Sequence, residues 1–115
     1  MKKTLIISLL FITGAGWANT KSEINHLLSH VRNTPCLYER NGSLHNGEEA
    51  LAHIKKKYNY FKDDIKTAED FIKYSATKSK ISGKYYYIQC PNKKKVKSKD
   101  WLMAALAAFR KQNTD

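Results

Sequence analysis

The sequence predicts a small single α+β domain, with about four helices packed on a short antiparallel sheet of a hairpin and one later strand, and with one disulfide. Three observations predict it. A chain of 115 residues has room for one domain. Apolar residues recur at helical spacing in four separate segments. The dipeptide Asn41-Gly42, a strong signal for a two-residue hairpin, lies between two short strand-like stretches.

The first eighteen residues have the three-part layout of a secretory signal peptide. Two lysines near the start precede an apolar run of about 13 residues, which is shorter than the ~20 residues of a membrane-spanning helix. Gly16 and Ala18 supply the small residues that a signal peptidase reads. We therefore expect a signal peptide at residues 1–18, cleavage between Ala18 and Asn19, and a periplasmic or secreted domain of residues 19–115 without a transmembrane anchor.

Four apolar residues predict the first helix, because they recur at i, i+3, i+4 and i+7. They are Ile24, Leu27, Leu28 and Val31. Thr20 and Glu23 have the spacing of a capping box, which places the start of the helix at Thr20, and Pro35 lies beyond its end. His26 and His30 fall on the opposite side of this helix, so we expect them to be solvated. Their spacing suits zinc only where a third ligand converges, and we expect no metal site here.

A hairpin and a second helix follow. Residues 36–40 favour a strand, Asn41-Gly42 favours the turn, and the stretch to His45 favours the returning strand. Asn46 is a suitable cap for the second helix, whose apolar stripe advances in steps of three and four residues. The stripe consists of Leu51, Ile54, Tyr58, Phe61 and Ile65. Such a stripe needs a partner surface.

The second half of the chain predicts a third helix, a loop, a strand and a last helix. Thr67 is a suitable cap for the third helix, and residues 79–84, with two serines and a glycine, predict a loop. Residues 85–89 favour a strand, which Pro91 ends. The last helix is expected to begin at Ser98. One face of it is formed by Trp101, Leu102, Ala105, Leu106 and Phe109.

The two cysteines, Cys36 and Cys90, both follow the predicted cleavage site. In an oxidising compartment an even pair in a small domain favours a disulfide over free thiols. The sequence has no C-x-x-C motif that would favour a metal or redox site instead. If the strands that carry them run antiparallel, Cys36 faces Cys90. Tyr85 and Tyr87 then point away from the helices, toward solvent or a partner.

In the same register Tyr38 lies opposite Ile88, and Arg40 lies on the face that the helices cover. A guanidinium group in that place must extend to solvent or find a carboxylate. Glu69 and Asp70, in the first turn of the third helix, are the carboxylates that we expect it to meet.

Five spaced segments carry a family resemblance. They are residues 38–42, 49–50, 53–58, 65–72 and 79–86. Together with both cysteines and Trp101-Leu102, they resemble the YfeK-like family of small exported bacterial proteins, a domain of unknown function. The resemblance covers residues 22–109. It implies an exported envelope protein of this architecture, and it implies no catalytic residue, ligand or cofactor.

Two short features of the sequence are weak candidates for ligand binding or catalysis. Ser82, Gly83 and Lys84 lie in the predicted loop, where a glycine, a hydroxyl and a lysine can hold an anion at a turn. The loop lacks the P-loop pattern, so a solvated connection is the plainer interpretation. His53 falls away from the apolar stripe of the second helix, which predicts a surface position.

The chain is strongly basic, with 21 Lys and Arg against 10 Asp and Glu and a formal net charge of +11. Loss of the predicted signal peptide removes two lysines, so the product carries +9. The short segment between the second cysteine and the last helix contributes most of this excess. Its lysines are Lys93, Lys94, Lys95, Lys97 and Lys99.

Arginine is rare and the product is exported, which argues against nucleic acid as the partner. A genome poor in G and C would also enrich lysine at exposed positions.

Two hypotheses for function follow. The first is a non-enzymatic binding or accessory module of the periplasm or envelope, without cofactor or metal, that meets an envelope protein or an anionic envelope component. Its contact residues would be Arg40, Ser82, Gly83, Lys84, Tyr85, Tyr87 and the five lysines. The alternative is a small hydrolase or enzyme-inhibitor-like protein that uses His53, Ser82 and Lys84. That alternative requires these side chains to converge.

Overall fold

The computed structural model describes residues 16–114, with side chains from residue 19 to residue 113. Four helices pack on one face of a four-stranded antiparallel sheet, which confirms the predicted fold class. In chain order the elements are α1 (Gly16–Arg32), β1 (Leu37–Arg40), β2 (Ser43–His45), α2 (Gly47–Tyr60), a 3-10 turn (Lys62–Asp64), α3 (Ala68–Ser75), β3 (Tyr87–Gln89), β4 (Val96–Lys97) and α4 (Ser98–Thr114). None of the helices in this part of the chain is long and apolar enough to cross a membrane.

Helix α1 begins earlier than its sequence pattern predicts. It starts at Gly16 and continues without a break through Thr20, so the predicted cap at Thr20 was wrong. The residues that precede Thr20 extend the helix. Their carbonyl groups accept hydrogen bonds from the backbone N–H groups that a cap at Thr20 would otherwise have to satisfy. The predicted signal peptide lies outside the described residues except for its last three. The predicted cleavage site, between Ala18 and Asn19, lies in the first turns of α1.

The sheet has the strand order β2-β1-β3-β4. Tyr38 pairs with Ile88, as the register predicts, and the disulfide between Cys36 and Cys90 joins the start of β1 to the end of β3. Strand β4, which pairs with β3, was not predicted. It has two residues within the lysine-rich segment, too few to produce a strand pattern in the sequence.

Local capping chemistry places the starts of α2 and α3 where the sequence predicts them. Asn46 and Glu49 form a complete capping box at the start of α2, with both hydrogen bonds made. The hydroxyl of Thr67 accepts a hydrogen bond from the backbone N–H of Asp70 at the start of α3. A Cβ atom on Gly47 would lie 2.5 Å from the carbonyl oxygen of Val31, so the absence of a side chain lets α2 start against the end of α1.

The core lies between the sheet and the helices. Its fully buried side chains come from all four helices and from β3, and they include Leu27, Ile54, Phe71, Ile88, Leu102 and Leu106. Tyr38 is also buried, and its hydroxyl forms a hydrogen bond of 2.9 Å with the hydroxyl of Ser98, the first residue of α4. The inner face of β1 is thereby linked to the start of α4.

Arg110 provides the ion pairs between the helices. Its guanidinium lies 2.8 Å from Glu23 of α1 and 2.7 Å from Glu69 of α3, and these carboxylates raise its pKa above the ordinary value. Glu69 is therefore not the partner of Arg40, and Asp70 accepts a hydrogen bond from the backbone of Lys66. The predicted carboxylate partner of Arg40 was wrong, because Glu69 is bound by Arg110 of α4 and Asp70 accepts from the backbone of Lys66.

Candidate functional site

The face of the sheet that points away from the helices carries aromatic, apolar and basic side chains. Leu44, Glu39, Tyr87 and Lys97 pair in succession across the four strands and so form one row. Leu44 is 59% exposed, and Tyr85, which precedes β3, is 39% exposed. Leu37 is exposed and lies on this same face of β1. We call the surface formed by Leu37, Glu39, Leu44, Tyr85, Tyr87, Lys95 and Lys97 the outer face.

Two lysines of the segment from residue 93 to residue 99 fold back onto the outer face. The ammonium of Lys97 lies 4.1 Å from the ring centroid of Tyr85, and that of Lys95 lies 4.7 Å from the ring centroid of Tyr87. Lys95 also forms an ion pair of 3.0 Å with Glu39. Contacts of this kind contribute about 0.5–1 kcal/mol each at exposed sites. The segment is therefore attached to the sheet, and it concentrates positive charge beside the two tyrosines.

The other lysines of this segment remain directed to solvent. Lys93, Lys94 and Lys99 are exposed. The backbone carbonyl of Lys93 accepts a hydrogen bond of 2.9 Å from the side chain of Gln89 on β3. This bond keeps the segment close to the sheet while its ammonium groups stay hydrated.

The loop of residues 79–84 uses most of its polar groups to hold its own shape. The N–H of Ser79 donates to the carbonyl of Lys84, and the N–H of Gly83 donates to the carbonyl of Ser79, both at 2.9 Å. Gly83 has a φ of 75°, which favours glycine. The hydroxyl of Ser82 donates to the side-chain oxygen of Asn41 at 2.6 Å and accepts from the N–H of Lys84 at 3.2 Å. The loop is thus fastened to the hairpin turn, and the side chain of Lys84 is exposed.

A recess opens between the hairpin and α2. His53 is half-buried there, so its predicted surface position was wrong. Its Nε2 lies 3.1 Å from the hydroxyl of Tyr86, and the ammonium of Lys57 donates to the same hydroxyl at 3.2 Å. Arg40 and His45 line the recess from the hairpin. We call these five residues, Arg40, His45, His53, Lys57 and Tyr86, the basic recess.

The basic recess disfavours further positive charge. Burial and then the charge of Arg40 are the largest causes that lower the pKa of His53 to about 4, with smaller effects from Lys57, His45 and Lys56. Burial, Lys80 and Arg40 lower the pKa of Lys57. Burial raises the pKa of Tyr86, which keeps its hydroxyl protonated. At neutral pH the recess therefore contains a neutral His53 near the side chains of Arg40 and Lys57.

The helical pattern of α2 alone could not reveal this recess. The pattern places His53 outside the apolar stripe, but β1 and β3 bring Arg40 and Tyr86 over that flank of the helix. One residue of the sequence did indicate the recess. Arg40 was predicted to lie on the covered face of the sheet, where a guanidinium needs a partner. The free space among the side chains is about 10 Å³, close to the volume that one water molecule needs.

His26 and His30 also lie differently from the prediction. Both are half-buried, because α4 packs along their side of α1. The ring of His26 stacks on Phe109 with centroids 4.2 Å apart, and the ring of His30 lies 4.4 Å from that of Trp101. Burial and the neighbouring His26 lower the pKa of His30. Within the described residues no three potential ligands come close enough to hold a metal ion.

The residues of the hydrolase hypothesis make separate hydrogen bonds. Among the described residues, the side chain of His53 bonds to Tyr86, whereas that of Ser82 bonds to Asn41 and to the backbone of Lys84. None of these bonds joins His53 to Ser82. A hydrolase in which His53 activates Ser82 would need such a bond or a bridging group.

Comparisons with known proteins agree with the sequence resemblance. Residues 18–110 match a family described as a family of unknown function, DUF5329. An uncharacterized protein YfeK from Salmonella typhimurium is 37% identical over 92 residues, which cover 75% of this chain and 77% of that relative. No solved structure matches the chain.

Proposed function

The chain belongs to the DUF5329 family, whose function is unknown, and from its geometry we propose that it is an exported, non-enzymatic binding module of the cell envelope. The observation that carries this proposal is the outer face, where Lys97 lies beside the exposed Tyr85 and Lys95 beside the half-buried Tyr87 on a surface of the sheet that no described helix covers. We propose that this face binds an anionic, phosphate-bearing membrane surface. The disulfide fits an oxidising compartment, and the predicted signal peptide supports export.

Charge supports an anionic partner. The segment from residue 93 to residue 99 contains five lysines and no acidic residue, and Glu39 pairs with one of the five. Each lysine near an anionic lipid surface contributes about 1 kcal/mol of attraction, and this attraction decays within a Debye length of ~8 Å. The exposed lysines next to β4 extend far enough into solvent to act in this way.

The apolar part of the outer face supports an interfacial location. Tyr85 has an aromatic body and a polar tip, a combination that favours membrane–water interfaces. Leu37 and Leu44 are exposed on the same face and can enter the boundary between headgroups and acyl chains.

The proposal is tested by co-sedimentation of the purified protein with vesicles. We expect binding to vesicles that contain phosphatidylglycerol, weaker binding as salt increases, and little binding to phosphatidylcholine vesicles. The variant Lys94→Glu/Lys97→Glu should lose at least tenfold in affinity. The control Lys62→Glu/Lys66→Glu makes the same charge change at two exposed positions outside the outer face and should bind more tightly than the first variant.

Two results would contradict parts of the proposal. Equal losses in both variants would mean that net charge alone causes binding. Retention by an acidic protein but not by anionic vesicles would replace the membrane with a protein partner. The export step is tested separately, by fractionation of the producing cells and by N-terminal sequencing, which should find Asn19 as the first residue.

A further inference from the structure

Arg40 has far more hydrogen-bond capacity than the described residues use. A guanidinium has five N–H donors. The hydrogen bond that Arg40 makes with another side chain goes to Nε2 of His45, and its length of 3.5 Å is at the limit for such a bond. The carboxylate of Glu69 is held by Arg110, and that of Asp70 is held by the backbone of Lys66. Arg40 is partly buried, and its unused donors still reach solvent at the recess.

Lys57 lies beside the recess, and its ammonium is hydrogen-bonded to two groups of the chain. It donates to the carbonyl of Lys78 at 2.8 Å and to the hydroxyl of Tyr86 at 3.2 Å. Neither partner carries a negative charge. Two cations therefore lie at one half-buried recess. After burial and Lys80, the positive charge of Arg40 is the next cause that lowers the pKa of Lys57.

The carboxylate nearest to this recess serves another purpose. Oε1 of Glu49 lies 3.7 Å from Nδ1 of His45, and the same oxygen accepts the backbone N–H of Asn46 at 3.0 Å in the capping box of α2. Glu49 is exposed at the rim. Within the described residues no carboxylate forms an ion pair with Arg40 or Lys57.

We propose that the basic recess is a binding site for one phosphate-class oxyanion, held by the guanidinium of Arg40, the ammonium of Lys57 and the hydroxyl of Tyr86. The site is separate from the outer face, because Arg40 and Tyr86 lie on the covered side of the sheet. It stands independently of the proposed membrane function.

The charge of the recess selects this ligand class. Arg40 and Lys57 supply two positive charges, and His53 is neutral at pH 7 because its pKa is about 4. A phosphate monoester carries about −1.5 to −2 at this pH and so matches that charge better than a carboxylate does. The guanidinium can offer two parallel N–H groups to two oxygens of the anion.

The size of the recess sets where the anion lies. The enclosed space is about 10 Å³, so the anion occupies the mouth, where the flexible stem of Arg40 can bring its guanidinium against the anion. Any organic group attached to the phosphate then remains in solvent. Free phosphate and the phosphate of a larger molecule share this chemistry.

The experiment is a titration of the purified protein, with its disulfide intact, with inorganic phosphate at constant ionic strength. NMR of the histidine rings reports the site directly. We expect a saturable shift at His53 and a rise in its pKa from about 4, because a bound anion favours the imidazolium. Arg40→Gln and Lys57→Gln should each weaken binding at least tenfold. Lys55→Gln removes the same charge from an exposed position of the same helix and should leave binding within about twofold.

Several results would overturn the proposal. One is the absence of a saturable shift with inorganic phosphate, glycerol phosphate and phosphatidylglycerol vesicles alike. Another is an equal loss in the Lys57→Gln and Lys55→Gln variants, which would mean that only net charge matters. If Arg40→Gln does not fold, the comparison of Lys57→Gln with Lys55→Gln still tests whether the recess binds the anion. Binding of glycerol phosphate with no binding of inorganic phosphate would support the site and identify an esterified ligand.

A further variant separates this proposal from the proposed membrane function. Lys97→Glu changes the outer face and should leave the phosphate response of His53 in place. Loss of vesicle binding with a retained phosphate response would support both proposals. Loss of the phosphate response in Lys97→Glu, with Lys57→Gln unaffected, would place the anion on the outer face and overturn the recess.

Discussion

The buried hydrogen bond between Tyr38 and Ser98 allows a sharp test of the packing of α4 on the sheet. The two hydroxyl oxygens lie 2.9 Å apart, and Ser98 is 0% exposed. Tyr38→Phe removes one hydroxyl and leaves that of Ser98 buried without this partner. An unpaired buried hydroxyl costs about 1–3 kcal/mol, so we expect the free energy of unfolding to fall by roughly 2 kcal/mol. In a domain of about 100 residues this lowers the melting temperature by roughly 8–16 °C.

The assay is urea unfolding of a double-mutant cycle, followed by circular dichroism. Ser98→Ala should destabilise the protein by a similar amount, because it leaves the hydroxyl of Tyr38 unpaired. The double variant removes both polar groups, so its cost should be smaller than the sum by about 1–2 kcal/mol. Tyr85→Phe is the control, since Tyr85 is exposed, and it should change stability by less than about 0.5 kcal/mol.

Two outcomes would refute this reasoning. If the two single effects add to within about 0.5 kcal/mol, the hydroxyls are not coupled. If Tyr38→Phe costs no more than Tyr85→Phe, the hydroxyl of Tyr38 contributes nothing measurable. A changed slope of unfolding free energy against urea would instead indicate that the variant alters the unfolded ensemble, and the cycle would then be repeated by thermal unfolding.

Two further predictions concern the disulfide and pH. Replacing Cys36 and Cys90 with serine should cost about 4 kcal/mol, from the chain entropy of a loop with a sequence separation of 54, and an unchanged melting temperature would contradict a structural role. The free energy of unfolding should fall as pH decreases from about 6.5 toward 4, because the unfolded state protonates His53 first. His53 therefore stabilises the fold above pH 6.5, and this contribution is lost through pH 4. His53→Gln should flatten this part of the curve, although His30 contributes a slope of the same sign; an unchanged slope would contradict the assignment.

The elements that were predictable depend on local chemistry. Asn41 and Gly42 have φ values of 52° and 83°, which a tight hairpin turn requires and which these residue types tolerate. Asn46 and Glu49 form their capping box within four consecutive residues. The antiparallel register then follows from the period of two along each strand, which is why the pairing of the two cysteine-bearing strands could be predicted.

The features that were not predictable depend on neighbours from distant parts of the chain. His26 and His30 are covered because α4 arrives beside them, and no pattern within α1 contains that information. His53 is covered by β1 and β3 for the same reason. Arg40 lost its expected partner because Arg110, from the end of the chain, reaches Glu69. A helical pattern defines the most apolar side of a helix, whereas the width of the buried surface depends on its neighbours.

The two groups of basic residues differ in what their charge costs the fold. Lys95 and Lys97 lie over aromatic rings in contact with solvent, where a cation is hydrated and is easily tolerated. An excess of lysine that arises from genome composition would collect at such positions. Arg40 and Lys57 are half-buried, have no carboxylate partner among the described residues, and lie near His53, whose pKa is lowered first by burial and then by the charge of Arg40. Genome composition does not account for two cationic side chains that are half-buried near each other, where their charges repel. Such arrangements concentrate at binding and catalytic sites. The recess, rather than the outer face, is therefore the place where a specific ligand is to be sought first.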